Sequence, residues 1–296
     1  MSTVTSRTSA DDAAPPEVRA RTRARRFGGF AILAYLLTAV LVLPMVWVVV
    51  LSFQTNENIL RDPLNFSDLS LANYQVATST LNLMLMYKNT LIIAVVSVTV
   101  GVVLAYMAAF ALSRMTWTRT WLRNGLRFYL LAGLAIPVYI LLFPVYRLNI
   151  ELGLFGTYWA LILPYIASQL SFNVLLFTGF LADFPVEVEE AAVIDGARLR
   201  TLAWQIVFPL MRPVVATLLI FNIIYVWNEY PFAVTLINDP AMTTISLGVA
   251  QFQGFWSVDY GAMMASATLV LLPQLLLYAV FQRHVVAGMT FGAVKG

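Results

Sequence analysis

A chain of 296 residues that is 60% hydrophobic and 11% charged, with a mean hydropathy of +0.79, cannot fold as an ordinary water-soluble domain. Such domains are about 45–50% apolar and about 25% charged. The formal charge of +3 is small and the basic residues cluster beside apolar runs, which argues against a nucleic-acid partner and for a membrane orientation signal.

Residues 1–27 are polar and rich in Ala, Pro and Arg, and read as a disordered basic tail lying against anionic lipid. Six later runs reach the roughly 20 apolar residues needed to cross a bilayer. They are Gly29–Ser52, Asn89–Ser113, Arg127–Tyr146, Tyr158–Leu181, Pro213–Phe232 and Ala262–Phe281. The expected fold class is therefore an all-α membrane protein with six transmembrane helices. The first run is too long for a signal-peptide core, follows a long polar stretch and lacks an A-x-A site, so it is expected to stay as an anchor. Pro137, Pro144, Pro164 and Pro273 fall within or near the ends of the runs and predict kinks.

The runs divide the chain into the tail 1–27, a first helix and outside loop over 28–87, five helices over 88–285 and a second tail over 286–296. With the N-terminus inside, all but Arg61, Lys88 and Arg147 of the 18 basic residues fall on the cytoplasmic side. Both termini are expected there.

The segment 183–213, between the fourth and fifth runs, is cytoplasmic on this topology. Asp183 and Pro185 mark a helix start, and Glu187, Glu189 and Glu190 sit where the positive end of a helix dipole favours carboxylates. Ala191 and Ala192 keep that helix thin. Asp195–Gly196 offers a turn, since glycine reaches φ > 0 without steric cost. Leu199, Leu202, Ala203, Ile206 and Leu210 then recur at helical spacing until Pro209 and Pro213 lead into the next run. The pattern is a short acidic helix, a glycine break and an amphipathic helix on the inner membrane face. A thin, charged-ended helix suits insertion into a groove on a partner, and a solvated loop helix without a partner is the alternative.

This segment resembles the EAA loop of the membrane subunits of bacterial ATP-binding-cassette importers, through Glu190-Ala191-Ala192, Gly196, Ile206 and Pro209. Phe184-Pro185, Ile194-Asp195-Gly196-Ala197 and Pro213 fit the longer form usual in sugar importers. Phe208 and Ala203-Trp204 depart from that pattern. The ending Gly288–Gly296 is similar to the tail of the maltose-importer-type second permease, and Trp227-Asn228-Glu229 and Pro273 also sit where that subunit places such residues.

The resemblance implies a type I importer permease bundle that couples through Glu190, Ala191, Ala192, Asp195, Gly196, Ile206 and Pro209 to ATPase subunits. It implies two such ATPase subunits, a second permease and an extracytoplasmic sugar-binding protein as partners, in a bacterial cytoplasmic membrane. It further implies that Gly292, Lys295 and Gly296 reach toward the ATPase pair. Trp227, Asn228, Glu229, Gln253 and Trp256 are candidates for the pathway or for contact with the binding protein. Glu229 is expected near the outer interface, within reach of water.

The chain itself is expected to bind no cofactor or metal, with ATP and Mg used by the partners. A phosphate-binding loop needs Gly-Lys-Ser/Thr, and Lys88 and Lys295 both lack those neighbours. The absence of cysteine excludes disulfides, thiolate catalysis and Cys-based metal sites, and the lone His284 cannot build a His-rich one. Two other functions stay open at this stage: an importer permease for a non-sugar solute, and an ion-driven secondary transporter. The second needs ionisable groups near the span centres, where this chain has almost none.

Overall fold

The computed structural model describes residues 16–254 and 257–290, with side chains described for 31–254 and 257–280. Among these residues the chain is helical apart from its connections and one isolated antiparallel bridge between Gln253 and Val258.

Helix α1 (Pro16–Leu51) begins ahead of the expected Gly29, so residues 16–27 are helical rather than part of a disordered tail. Proline suits the first helical position, where its missing N–H would be unpaired in any case. The side chains of residues 31–44 are exposed all round, as on a helix sheathed by lipid tails. Two short helices, α2 (Asn56–Arg61) and α3 (Ala72–Thr80), fill the loop after it. Asn73 ties that loop down by donating to the carbonyls of Ser52 at 2.9 Å and Gln54 at 2.7 Å.

The centre of the bundle is α4 (Leu83–Arg114) against α7 (Trp159–Asp183). Ser97, Gly101, Ala105 and Ala109, all buried, recur every fourth residue and form a stripe of small side chains on α4. Such a stripe lets two helices approach closely, which matters in lipid because packing replaces the hydrophobic effect as the driving force between helices. Large side chains fill the space beside it, with Ile93, Tyr106, Leu161, Tyr165, Phe177 and Leu181 almost wholly enclosed.

The third expected span is not one helix. It divides into α5 (Thr120–Ala132) and α6 (Leu142–Glu151), joined by two 3-10 turns and bent by 95°. Pro137 is the cause: it lacks an N–H, and its ring drives Ile136 out of the helical region to φ −92°, ψ 116°. The top of α5 lies close against the middle of α7. A Cβ on Gly133 would stand 2.3 Å from the Ser171 hydroxyl oxygen, so a larger residue here would have to turn that hydroxyl aside.

After α7 come α8 (Val186–Ile194), α9 (Leu199–Thr201), a π-helical turn over Leu202–Val207 and α10 (Phe208–Leu210). The chain then bends by 71° at Met211 into α11 (Arg212–Asn228). The expected fifth span ran on to Phe232, but the helix stops at Glu229, and Pro231 starts a separate α12 (Pro231–Leu236). The last helix, α13 (Tyr260–Thr290), carries Pro273 and continues past the expected Phe281. Among the described residues four helices are thus long and apolar enough to cross a membrane unbroken, and the two bent pairs bring the possible spans to six.

Candidate functional site

Helix α8 begins where α7 cannot continue. Phe184 is extended (ψ 133°) because Pro185 follows it, and α8 starts at Val186; Asp183 therefore closes α7 rather than opening the next helix. The far end of α8 closes with the Gly196 N–H donating to the Val193 carbonyl at 3.0 Å and the Ala197 N–H donating to Ala192 at 2.9 Å. This paired closure needs a left-handed residue, and Gly196 supplies it at φ +82°.

Two contacts fix this segment to the bundle. Arg114, the last residue of α4, donates from Nε to both carboxylate oxygens of Glu189 at 2.8 Å, and its Nη2 donates to the Leu181 carbonyl at 2.7 Å. Both side chains are largely enclosed, at 14% and 9% exposure. On the other arm, the Tyr106 hydroxyl donates to the Ala203 carbonyl inside the π turn. The Tyr106 ring meets Phe177, Trp204 and Phe208 edge-on, with centroids 5.6, 5.3 and 4.9 Å away. Both Tyr106 and Arg114 belong to α4, so the whole segment is fastened to one face of the α4–α7 pair.

The seven sequence-derived residues separate into two groups. Glu190, Ala191, Asp195 and Gly196 are exposed at the tip, beside Val193 and an 84% exposed Ile194. Ala192, Ile206 and Pro209 are half-buried and turn inward, with Ala192 and Ile206 packed on the core. Sequence reasoning missed Glu189 and Arg114. The signal available was helical spacing: Glu189 shares a face with Ala192, three residues on, and that face points inward.

At the opposite end, the residues considered for the pathway part company. Trp227 and Asn228 meet Gln253 around an open cavity of about 370 Å³, together with Tyr230, Ser246 and Met263. Asn228 and Gln253 are exposed, whereas Trp227 is buried, donates from its indole N–H to the Val270 carbonyl at 3.1 Å and stacks on Tyr87. Glu229 does not reach water as expected. It is 3% exposed because its carboxylate turns inward to accept from the N–H groups of Phe232 (2.9 Å) and Ala233 (3.1 Å) and from the Tyr165 hydroxyl (2.6 Å). It caps α12 and ties it to α7.

The loop after α12 is held down as well. Asn89 donates to the carbonyls of Ala241 and Thr243 at 3.0 Å, and the Thr90 hydroxyl accepts from the Ile245 N–H at 2.9 Å. Trp256, Gly292, Lys295 and Gly296 lie outside the described residues.

The family described as "Binding-protein-dependent transport system inner membrane component" matches residues 101–291. The diacetylchitobiose uptake system permease protein NgcG of Streptomyces coelicolor is 30% identical over 275 residues, covering 92% of this chain and 90% of that protein. The melibiose/raffinose/stachyose import permease protein MelC of Bacillus subtilis is 31% identical over 231 residues, 78% of this chain and 83% of its own. Among solved structures, a bacterial ABC transporter that imports the acidic polysaccharide alginate shares the fold. Its TM-score is 0.72 at 20% identity, over 88% of this chain and 97% of the matched one.

Proposed function

Because this chain belongs to the binding-protein-dependent transport inner membrane component family, we propose that it is one of two permease subunits of an ATP-driven carbohydrate importer. It is a multi-pass membrane transporter subunit and not an enzyme. Its relatives' names, which specify uptake of diacetylchitobiose and of melibiose, raffinose and stachyose, support carbohydrate as the solute class. The other parts of the proposal are a second permease, two ATPase subunits that use ATP and Mg, and an extracytoplasmic sugar-binding protein.

The observation that carries the reading is the exposed tip of α8 on a rigidly mounted segment. Glu190, Asp195, Val193 and Ile194 offer a partner both charge and apolar surface, while Glu189, Ala203 and Ile206 anchor the segment inward. An ATPase holding this tip would move it as the ATPase pair closes on ATP. Arg114 and Tyr106 would carry that displacement into α4 and so into the bundle. Energetically, the ATP-bound pair must bind the outward-facing arrangement more tightly than the inward-facing one, and only that difference drives the switch. The C-terminal residues Gly292, Lys295 and Gly296 are proposed to add a second contact to the same ATPase pair.

The test is to purify the tagged chain in mild detergent and identify what accompanies it. A second permease and an ATPase are expected, and Glu190→Lys is expected to lower uptake about tenfold or more by reversing the charge at the contact. A chain that comes out alone, or normal uptake by Glu190→Lys, would refute this coupling role.

The topology is proposed to place both termini and the α8 tip in the cytoplasm. The lack of native cysteine makes this a clean labelling experiment. In sealed cells, Ser257→Cys is expected to react with a membrane-impermeant maleimide, and Thr118→Cys to react only after the membrane is opened. The reverse pattern would invert the topology.

A further inference from the structure

We propose that α5 is a binding surface for an anionic phospholipid of the cytoplasmic leaflet, read by Arg119, Arg123 and Arg127. Arg123 and Arg127 stand one turn apart on α5, and Arg119 precedes them as its extended N-cap residue (φ −124°, ψ 103°), so the three line one edge over roughly 12 Å. Thr120 and Asn124 flank the ridge on one side and Leu126 on the other. Trp121, Leu122, Gly125, Phe128 and Tyr129 occupy the other side, and every residue from Thr120 to Tyr129 is exposed. Polar and apolar residues segregate this way on a helix that lies partly in headgroups and partly in acyl chains.

Position along the bundle agrees. The upper end of α5 is pinned at Gly133 beside Ser171, halfway along α7, while its lower end follows α4 at the level of the Arg114–Glu189 contact. The helix therefore occupies the half of the membrane on the α8 side. Arginines there extend their stems along apolar surface and hold their guanidinium groups at the headgroup level.

Charge supplies the choice of occupant. No Asp or Glu occurs between Asp68 and Glu151, and among the described residues none of the three guanidinium groups pairs with a carboxylate. A phosphodiester answers the clustered positive charge, and its acyl chains match the exposed aromatic side of the same helix. A two-chain lipid with a negative headgroup satisfies both halves at once. A neutral sugar would satisfy neither, and a protein partner would have to bring carboxylates to membrane depth.

The proposal rests on the topology that places α5 on the cytoplasmic side. The experiment passes the full-length chain, with the subunits that purify with it, through mixed phosphatidylcholine and phosphatidylglycerol micelles and measures retained lipid by mass spectrometry. Phosphatidylglycerol is expected to be enriched on the parental protein. The enrichment is expected to fall on the order of tenfold in R119Q/R123Q/R127Q and to persist in R119K/R123K/R127K. Thr118→Cys labelling in the glutamine background reports whether that variant inserts as the parental protein does, so it separates lipid binding from failed insertion. Equal enrichment in the glutamine variant would overturn the proposal. Loss of a co-purifying subunit with lipid unchanged would overturn it too and give the ridge to a protein partner. Labelling of Thr118→Cys from outside would show that the topology itself had failed.

Discussion

Glu189→Ala is expected to lower the unfolding temperature of the purified protein clearly and to reduce sugar uptake by an order of magnitude or more. The substitution leaves the Arg114 guanidinium enclosed at the end of α4 with only the Leu181 carbonyl to accept from it. Removing one partner of a buried ion pair costs about 3–5 kcal/mol, chiefly because the other charge stays behind uncompensated. Arg114→Ala is expected to cost a similar amount. Replacing both, as in R114L/E189L, removes the stranded charge and is expected to recover much of the lost stability, since an apolar pair of similar volume is often neutral.

The double variant separates two roles of this contact. If the pair only holds the structure together, uptake returns along with thermal stability. If its directional bonds also transmit movement of α8 into α4, the double variant stays folded while ATP hydrolysis and uptake become uncoupled. Thermal unfolding, binding-protein-stimulated ATPase activity and uptake, measured on the same preparations, distinguish the outcomes. Parental values of all three for Glu189→Ala would show that the contact matters for neither.

The contrast between Glu189 and Glu190 shows what the sequence could and could not convey. Local chemistry made α8 legible: Pro185 ahead of it, carboxylates in its first turns and Gly196 after it all act within a few residues. Glu190, Asp195 and Gly196 were singled out by the resemblance to the EAA loop, and the structure adds that they stand exposed at the tip. The Arg114 partner of Glu189 lies 75 residues earlier in the chain, and no local pattern joins two such positions. Tyr106 was hidden for the same reason, inside an apolar run where a tyrosine is indistinguishable from filler until Ala203 is placed beside it.

Span limits failed where proline acted at a distance from the hydropathy signal. The run around Pro137 stays apolar through the break, so hydropathy drew one span there, while the kink expected from Pro137 is a 95° bend. At the end of α11 the expected span was carried across Asn228 and Glu229 to Phe232, although the helix stops at those polar residues. The α4 stripe of Ser97, Gly101, Ala105 and Ala109 was visible as spacing, but only the position of α7 shows that it is a packing face.

Glu229 is the residue whose reading changed most, and its variants are expected to separate sharply. Glu229→Ala removes the acceptor for the Phe232 and Ala233 N–H groups and leaves the enclosed Tyr165 hydroxyl without its partner. Loss of a helix cap costs about 0.5–2 kcal/mol, and each buried donor left unsatisfied costs about 1–3 kcal/mol. These effects overlap, so a total of about 3–5 kcal/mol is expected, seen as a lower unfolding temperature and poor recovery of assembled protein. Glu229→Gln retains one carbonyl oxygen to cap α12, and its amide can donate to the Tyr165 oxygen. It is expected to unfold close to the parental protein and to transport within a few-fold of it. The decisive case is a glutamine variant that is stable yet inactive. That result would mean the charge itself serves the pathway, restoring the role first read from the sequence, whereas a stable, active glutamine beside a destabilised alanine assigns Glu229 to the joint between α11 and α12.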